Sequence, residues 1–162
     1  MSRLLNSHRI INSKKQTYNL KKILTSAKIS EKRTPGSKKC NKPRCTLCSK
    51  IIEGTSYEFN NSEQFIIQRE LTCDSKNVIY VLKCNGCNLN YIGVTNDLRK
   101  RIANHKSNVK VENNRMLNVS IHIHECANKF QFMPIYQNHN YDKLLTYELK
   151  FIQKYKTALD RT

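Results

Sequence analysis

Short runs of β-branched, aliphatic and aromatic residues recur along the last two-thirds of the chain and predict a sheet. By this criterion we expect strands at about 64–69, 77–84, 90–94 and 130–136. Elsewhere apolar residues recur every three to four positions, a spacing that predicts helices at about 97–110, 116–126 and 141–155. The order of these elements indicates an α/β (α+β) fold with a small mixed, mainly antiparallel sheet flanked by helices.

The apolar positions of these elements define the expected core. The candidates are Phe65, Ile66, Ile79, Val81, Ile92, Leu98, Ile102, Phe132, Leu145 and Ile152. Before the first helix, Thr95-Asn96-Asp97 supplies residue types that cap helix N-termini. Arg101 and His105 lie four positions apart on this helix, so both are expected to project from one face.

The first 50 residues differ from the rest of the chain in charge. They contain 14 Lys and Arg and one acid, Glu31, whereas residues 51–162 contain 15 Lys and Arg and 11 acids. Tyr18 is their one aromatic residue. Such a segment cannot bury enough apolar surface to offset chain entropy. We expect residues 1–39 to form a basic extended or partly helical arm, which either follows nucleic-acid phosphates or is a solvated tail.

The net charge of +17 on 162 residues points to a polyanionic partner, most directly a nucleic acid. No apolar run approaches the roughly 20 residues that a membrane span requires, so no membrane partner is expected. The N-terminal residues MSRLLNSHRI lack the apolar stretch of a secretory signal. The sequence therefore predicts an intracellular protein that is not secreted.

The seven cysteines fall into two groups, and their odd number argues against a disulfide framework. Cys84-Asn-Gly-Cys87 places two thiols on a tight turn, a spacing typical of zinc ligands. His122 and Cys126, four residues apart, would complete four ligands on one ion, with His124 a weaker candidate. The alternative is that Cys126 is a small buried apolar residue and His122 a surface residue.

The second group consists of Cys40, Cys45 and Cys48, and Cys73 is the remaining cysteine that would complete it. Four protein ligands leave no open position, so both sites are expected to hold structural Zn²⁺. The binding energy of the metal would then contribute to folding. We expect residues 40–73 to form a zinc-binding linker and residues 74–162 to form the main domain.

Two tyrosine tripeptides occupy the predicted hairpin. Val78-Ile79-Tyr80 lies in its first strand and Tyr91-Ile92-Gly93 in its second, and Arg101 and His105 follow Gly93 by 8 and 12 residues. This combination resembles the GIY-YIG endonuclease family, with Val78 at the position of the first glycine of the motif name.

Further features resemble one branch of that family. The CxxC segment lies between the two motif halves, the cysteines of residues 40–48 precede them, and the stretch NLKKIL at residues 19–24 lies upstream. Together these resemble the C-terminal endonuclease region of Penelope-like retroelements. The polymerase of such an element is absent from these residues, so we expect a fragment or a stand-alone derivative. Where the family carries an Asn after its last helix, this chain has Ala158-Leu159-Asp160.

The resemblance implies a GIY-YIG nuclease-like domain at residues 74–162, and it implies roles for six residues. Glu148 would be the carboxylate ligand of a catalytic Mg²⁺, Arg101 would bind the phosphate, and Gly93 would allow close approach. Tyr80 would act as general base with His105 as its proton partner, and Tyr91 would position the water. The alternatives are strand packing for both tyrosines, a turn residue at Gly93, and an ordinary solvent-facing glutamate at 148.

The implied function is metal-dependent nicking of DNA by phosphodiester hydrolysis, which would provide a 3′-OH for target-primed reverse transcription of a retroelement. A reverse transcriptase or element RNA would be a further partner, and the protein would act in the nucleus. The competing interpretation is a catalytically inactive, zinc-stabilised nucleic-acid-binding module, for which the basic arm and the cysteines would suffice.

Overall fold

The computed structural model describes residues 34–108, 119, 122, 126 and 130–155, all of which belong to one compact unit, Arg33–Thr162. The elements in these residues are β1 (Gly36–Lys38), β2 (Ser56–Glu58), β3 (Gln64–Ile66), β4 (Glu70–Thr72), β5 (Lys76–Cys84), β6 (Asn90–Asp97), α1 (Leu98–Asn108), β7 (Phe130–Gln137) and α2 (Tyr141–Tyr155). Most of the predicted arm, including residues 19–24, lies outside the described residues. Of the predicted helix 116–126, Val119, His122 and Cys126 are described, and their backbone is helical.

The main sheet has three antiparallel strands in the order β6-β5-β7. The central strand β5 is rich in β-branched and aliphatic residues, and Val78–Leu82 are buried along it. β5 and β6 form the predicted hairpin, and its turn is closed by a hydrogen bond from the Cys84 N–H to the Leu89 carbonyl (3.0 Å). The hairpin prediction is confirmed, although β6 continues three residues beyond the predicted end at 94.

The first helix begins where the sequence predicts. Asp97 Oδ1 accepts a hydrogen bond from the backbone N–H of Lys100 (3.0 Å), which caps the N-terminus of α1. Leu98 and Ile102 are buried on the side of α1 that contacts β5 and β6. The same side of α1 continues toward its C-terminus to His105, which is also buried. The helix therefore carries His105 into the domain interior next to the hairpin.

The second helix contacts the sheet with a different side from the one predicted. Leu144, Phe151 and Tyr155 are buried, whereas the predicted core residue Leu145 is 42% exposed. Because buried positions on a helix recur every three to four residues, the stripe that includes 144, 151 and 155 also includes position 148. The Leu145 prediction is wrong by one position.

Short strands surround the main sheet. β2 and β3 form an antiparallel hairpin in which side chains alternate, so Phe65 is half-buried and the predicted core residue Ile66 is 67% exposed. The predicted strand 64–69 is too long, because β3 ends at 66 and β4 begins at 70. β4 pairs in parallel with β1, an element that the sequence pattern did not predict. The other predicted core residues are buried, apart from Ile152, which is half-buried.

The cysteine-rich segment is joined to the outer edge of the main sheet. The Ile52 N–H donates to the Phe132 carbonyl (2.8 Å), and the Phe132 N–H donates to the Lys50 carbonyl (3.0 Å).

The predicted fold class, small and mainly antiparallel sheets flanked by helices, is confirmed. The division at residues 39/40 and 73/74 stays a prediction. Among the described helices, none has the length and apolar character needed to cross a membrane.

Candidate active site

Tyr80 and Tyr91 lie on the same face of the β5–β6 hairpin. Tyr80 pairs directly with Gly93, and Leu82 pairs directly with Tyr91. Because alternate strand residues point to the same face, the two tyrosines are diagonal neighbours, and their ring centroids lie 6.4 Å apart. The register of the hairpin therefore brings the two predicted tyrosines together.

Gly93 provides the space that the Tyr80 hydroxyl occupies. A Cβ at this position would lie 2.7 Å from the Tyr80 oxygen and 2.8 Å from Tyr91 Cε1, closer than real Cβ atoms approach such neighbours. Tyr80 is 0% exposed, so its ring has little room to move aside. Absence of a side chain at Gly93 is therefore what allows both phenols to take their positions.

Helix α1 brings Arg101 and His105 to the Tyr80 hydroxyl. The Nε–H of Arg101 donates to the Tyr80 oxygen at 3.0 Å, and Nε2 of His105 lies 2.8 Å from the same oxygen. Since Arg101 already acts as a donor, the hydroxyl is placed to donate its own proton to His105. This arrangement requires the imidazole proton to be on Nδ1.

Burial sets the protonation states of these groups. Burial, followed by the charge of Arg101, lowers the pKa of His105 to about 4, so the imidazole is neutral at physiological pH. Burial raises the pKa of Tyr80, and Tyr91 adds to this, so the phenol is protonated. Burial lowers the pKa of Arg101, but Tyr80 and Tyr91 outweigh it, and the guanidinium stays charged. The cluster therefore contains one cation, a protonated phenol and a neutral proton acceptor.

The buried His105 predicts a pH-dependent stability. Because its folded-state pKa of about 4 lies below the ordinary value of 6.5, the unfolded chain binds the proton more tightly. The stabilisation is fully present above pH 6.5 and is lost as the pH falls to about 4, an effect on the order of 3 kcal/mol. Urea unfolding at about pH 7 and about pH 4.5 should show a smaller pH dependence for His105→Gln than for the wild type. Equal pH dependence of the two proteins would contradict this assignment.

Glu148 lies on the sheet-facing side of α2. It shares the stripe of Leu144 and Phe151 and is half-buried. Its Oε1 accepts a hydrogen bond from the backbone N–H of Val94 (2.8 Å). Because Val94 follows Gly93, this bond fixes the carboxylate beside the segment that pairs with Tyr80. Glu148 is therefore half-buried next to the hairpin, and its role as a metal ligand stays a prediction.

Cys40, Cys45, Cys48 and Cys73 lie together and are named here the cysteine cluster. Their sulfur atoms all lie within 4.8 Å of one another, and Cys48 lies 3.5 Å from Cys40 and 3.8 Å from Cys73. A tetrahedral site with Zn–S bonds of about 2.3 Å places its sulfur atoms about 3.8 Å apart. Burial raises the pKa of Cys45, but the Leu47 N–H and the neighbouring thiols bring it to about 6. The geometry of the cluster therefore fits four ligands around one ion, and the four residues could bind zinc.

Cys84, Cys87, His122 and Cys126 form a second group, named here the cysteine–histidine cluster. Its four ligand atoms also lie within 4.8 Å of one another. Cys84 and Cys126 are 3.5 Å apart, and Cys87 Sγ lies 3.1 Å from His122 Nε2. Burial raises the pKa of Cys84, but the Cys87 N–H and His122 bring it to about 6. The four residues could therefore bind zinc, while His124 lies outside the described residues.

Arg99, which the sequence pattern did not single out, links α1 to the cysteine cluster. Its Nε–H donates to Asp74 Oδ1 at 2.7 Å, and its Nη2 lies 3.7 Å from Cys40 Sγ. The bond to Asp74 raises the pKa of Arg99, and hydrogen bonds from Lys42 and Arg99 lower the pKa of Asp74. Arg99 and Arg101 are two residues apart on a helix and must face different directions. The two-residue spacing is the feature of the sequence that could have indicated that Arg99 and Arg101 contact different groups.

Comparison with known proteins identifies the family. Residues 76–161, just over half of the chain, match the GIY-YIG catalytic domain. No curated protein and no solved structure matches the chain. The match begins at β5 and includes both tyrosines, Arg101, His105 and Glu148, while the Ala158-Leu159-Asp160 segment lies in it but outside the described residues. The chain therefore belongs to the GIY-YIG catalytic domain family, and this membership supports a nuclease in general.

Proposed function

We propose that this protein is a metal-dependent endonuclease that nicks DNA by hydrolysing a phosphodiester bond. The observation that carries the proposal is the meeting of two side chains, Arg101 and His105, at the hydroxyl oxygen of Tyr80. The Tyr80 hydroxyl contacts Arg101 at 3.0 Å and His105 at 2.8 Å, beside the backbone segment that holds Glu148. A cluster that serves packing alone has no need to combine a half-buried guanidinium, a neutral imidazole and a half-buried carboxylate near one phenol.

The proposed reaction moves one proton along this cluster. As water attacks the phosphorus, it passes a proton to the Tyr80 oxygen while Tyr80 passes its own proton to His105 Nε2. A new P–O bond forms, the bond to the 3′-oxygen breaks, and the 3′-oxygen takes up a proton from solvent. His105 becomes an imidazolium that later releases its proton to solvent. The relay is needed because the pKa of Tyr80 is raised by burial, so a free phenolate is not available at neutral pH.

The remaining residues position the substrate. Arg101 carries a permanent charge and a planar fork that fits the non-bridging oxygens of a phosphate. Tyr91, half-buried next to Tyr80, would orient the attacking water. Gly93 keeps the two phenols in place through its lack of a side chain.

Glu148 is proposed to hold the catalytic Mg²⁺. Proteins commonly bind Mg²⁺ with one or two carboxylates together with substrate phosphate and water, so a single carboxylate fixed on the Val94 N–H, next to Gly93, fits this ion. Bound there, the ion would supply Lewis-acid stabilisation of the phosphate and of the leaving oxygen.

The cysteine cluster and the cysteine–histidine cluster are proposed to hold structural Zn²⁺, since each has four protein ligands.

We further propose a role in a retroelement of the Penelope-like type, in which the nick provides a 3′-OH for target-primed reverse transcription. The cysteine–histidine cluster supports this, because its CxxC segment lies inside the β5–β6 hairpin between the two motif halves. The excess of positive charge in residues 1–50 suits binding of target DNA or element RNA. A reverse transcriptase would be the partner, and the nucleus the site of action.

Nicking of supercoiled plasmid by the purified chain tests the proposal. In the presence of Mg²⁺ we expect the wild type to produce open-circular DNA, and Arg101→Ala to lower the rate by about 10²- to 10³-fold. Arg69→Ala, which removes an exposed arginine of the segment between β3 and β4, is the control and should leave the rate unchanged. Zinc content should be the same in all three proteins.

Two other results would overturn the proposal. If wild type and Arg101→Ala nick equally, the activity does not come from this cluster. If the wild type binds plasmid tightly without nicking it, the inactive zinc-stabilised binding module is the correct interpretation.

A further inference from the structure

An open groove leads from the proposed phosphate-binding arginine along the surface of the domain. Its walls are the end of β6, one face of α1 and the first residue of α2. The lining residues that matter for its chemistry are Asp97, Lys100, Arg101 and Tyr141. Arg101 is therefore shared between the groove and the Tyr80–His105 cluster.

The groove is suited to an anion. Lys100 and Arg101 lie side by side on α1, and the Lys100 side chain is exposed. The acid in the wall, Asp97, is already engaged, because it caps α1 and pairs with Lys76 at 2.5 Å. The positive charge of the groove is therefore not cancelled by its own carboxylate.

An aromatic ring stands at the far end of the groove. Tyr141 is 39% exposed although it is the first residue of α2. Its backbone is fixed, because Asn140 Oδ1 accepts the Lys143 N–H (3.1 Å) and so caps the helix. A protruding ring on a rigid backbone, next to cationic side chains, is the combination that nucleic-acid-binding proteins use to stack a base.

We propose that this groove binds the nucleotide adjacent to the scissile phosphate, with Lys100 on its phosphate and its base stacked on Tyr141. The inference rests on the proposed nuclease function, because Arg101 sets where the scissile phosphate lies. A base inside a continuous duplex has both faces covered by its neighbours, so stacking on a side chain requires an unpaired base. The occupant is therefore an unpaired nucleotide of the DNA strand that is cut.

The chain contains no tryptophan, which makes a direct test possible. Tyr141→Trp introduces one fluorophore into the groove, and stacking of a nucleobase quenches indole emission. Tyr147→Trp is the matched control, because Tyr147 lies on the same helix, is 37% exposed and does not line the groove. Both changes are made in the full-length Glu148→Gln protein, so that the oligonucleotide is not cut during the measurement.

The expected result is quenching of Tyr141→Trp by a short single-stranded DNA oligonucleotide, with no quenching of Tyr147→Trp. A blunt duplex of the same sequence and an abasic oligonucleotide should bind without quenching. By anisotropy, Tyr141→Ala should weaken binding of the single strand about tenfold, whereas Tyr141→Phe should not. Equal quenching of both tryptophans, unquenched emission at 141 with the strand bound, or no binding at all would each overturn the proposal.

The experiments distinguish an error in the stacking proposal from an error in the proposed nuclease function. If Tyr141→Trp is quenched but the wild-type chain never nicks plasmid, the groove binds an unpaired nucleotide and hydrolysis is wrong. If the wild type nicks while Tyr141→Ala nicks at the same KM and kcat, the nuclease stands and the stacking site is wrong.

Discussion

Replacing Glu148 by glutamine should lower the rate of plasmid nicking by about 10³-fold or more. A catalytic metal ion supplies several kcal/mol of transition-state stabilisation, and each 1.36 kcal/mol corresponds to about a factor of ten in rate. The amide removes the charge that binds Mg²⁺, yet its Oε1 can still accept the Val94 N–H that the carboxylate accepts at 2.8 Å. The loss should therefore be catalytic, with the unfolding midpoint in urea close to that of the wild type.

A matched control variant tests whether the loss of nicking is specific to the Glu148 carboxylate. Glu58→Gln removes the same charge from an exposed position of β2 and should nick at the wild-type rate. Nicking by the wild type should follow a saturation curve in Mg²⁺ concentration, and Glu148→Gln should need far more of the ion for any activity. Unchanged nicking by Glu148→Gln would show that the metal is held elsewhere or is not used.

The sequence predicts the parts of this site that depend on local spacing. The apolar pattern and the turn between Cys84 and Asn90 place Tyr80 and Tyr91 on the two strands of one hairpin, so the sequence alone indicates that they are close. The four-residue spacing of Arg101 and His105 places both on one helix face, and Asp97 fixes where that helix starts. These relations involve neighbours in the chain, and the structure reproduces them.

The remaining features depend on contacts between distant segments. Which side of α2 meets the sheet is decided by packing, and the pattern placed Leu145 inside when Leu144 is buried. The bond between Glu148 and the Val94 backbone spans 54 residues, so no local pattern could give it. The pairing of β1 with β4 is likewise a long-range contact of short strands with weak apolar patterns.

The sequence also cannot predict that Arg101 and His105 both contact the Tyr80 hydroxyl. Spacing indicates that Arg101 and His105 point the same way, but it cannot show that both reach one oxygen. It also cannot show that burial moves the pKa of His105 to about 4 and so keeps the imidazole neutral. Burial is a property of the assembled core and is absent from any window of sequence.

The cysteine cluster connects metal binding to the proposed active site. Arg99 contacts both Asp74 and Cys40, and it lies on α1 two residues before Arg101. Asp74 follows Cys73, so one short segment supplies a proposed zinc ligand and the partner of Arg99. A change in this cluster should therefore alter the position of α1, the helix that carries Arg101 and His105.

Cys73→Ser is expected to remove the metal of the cysteine cluster and to unfold much of the domain. Structural Zn²⁺ contributes about 10–16 kcal/mol of apparent binding free energy, as much as the whole stability of a typical domain, about 5–15 kcal/mol. Elemental analysis should show the zinc content fall from that of both clusters to that of the cysteine–histidine cluster alone. The cooperative unfolding transition followed by circular dichroism should broaden or disappear, and nicking should be lost with it.

A destabilising change that leaves the ligands intact separates loss of metal from loss of packing. Val78→Ala removes two methyl groups from a residue that is fully buried in β5 and should cost about 1–3 kcal/mol. This variant should keep the wild-type zinc content and a cooperative, weaker transition. Added Zn²⁺ should stabilise Val78→Ala when metal is limiting but should not restore Cys73→Ser. If Cys73→Ser retains full zinc and a wild-type transition, Cys73 is a packed thiol and does not bind zinc.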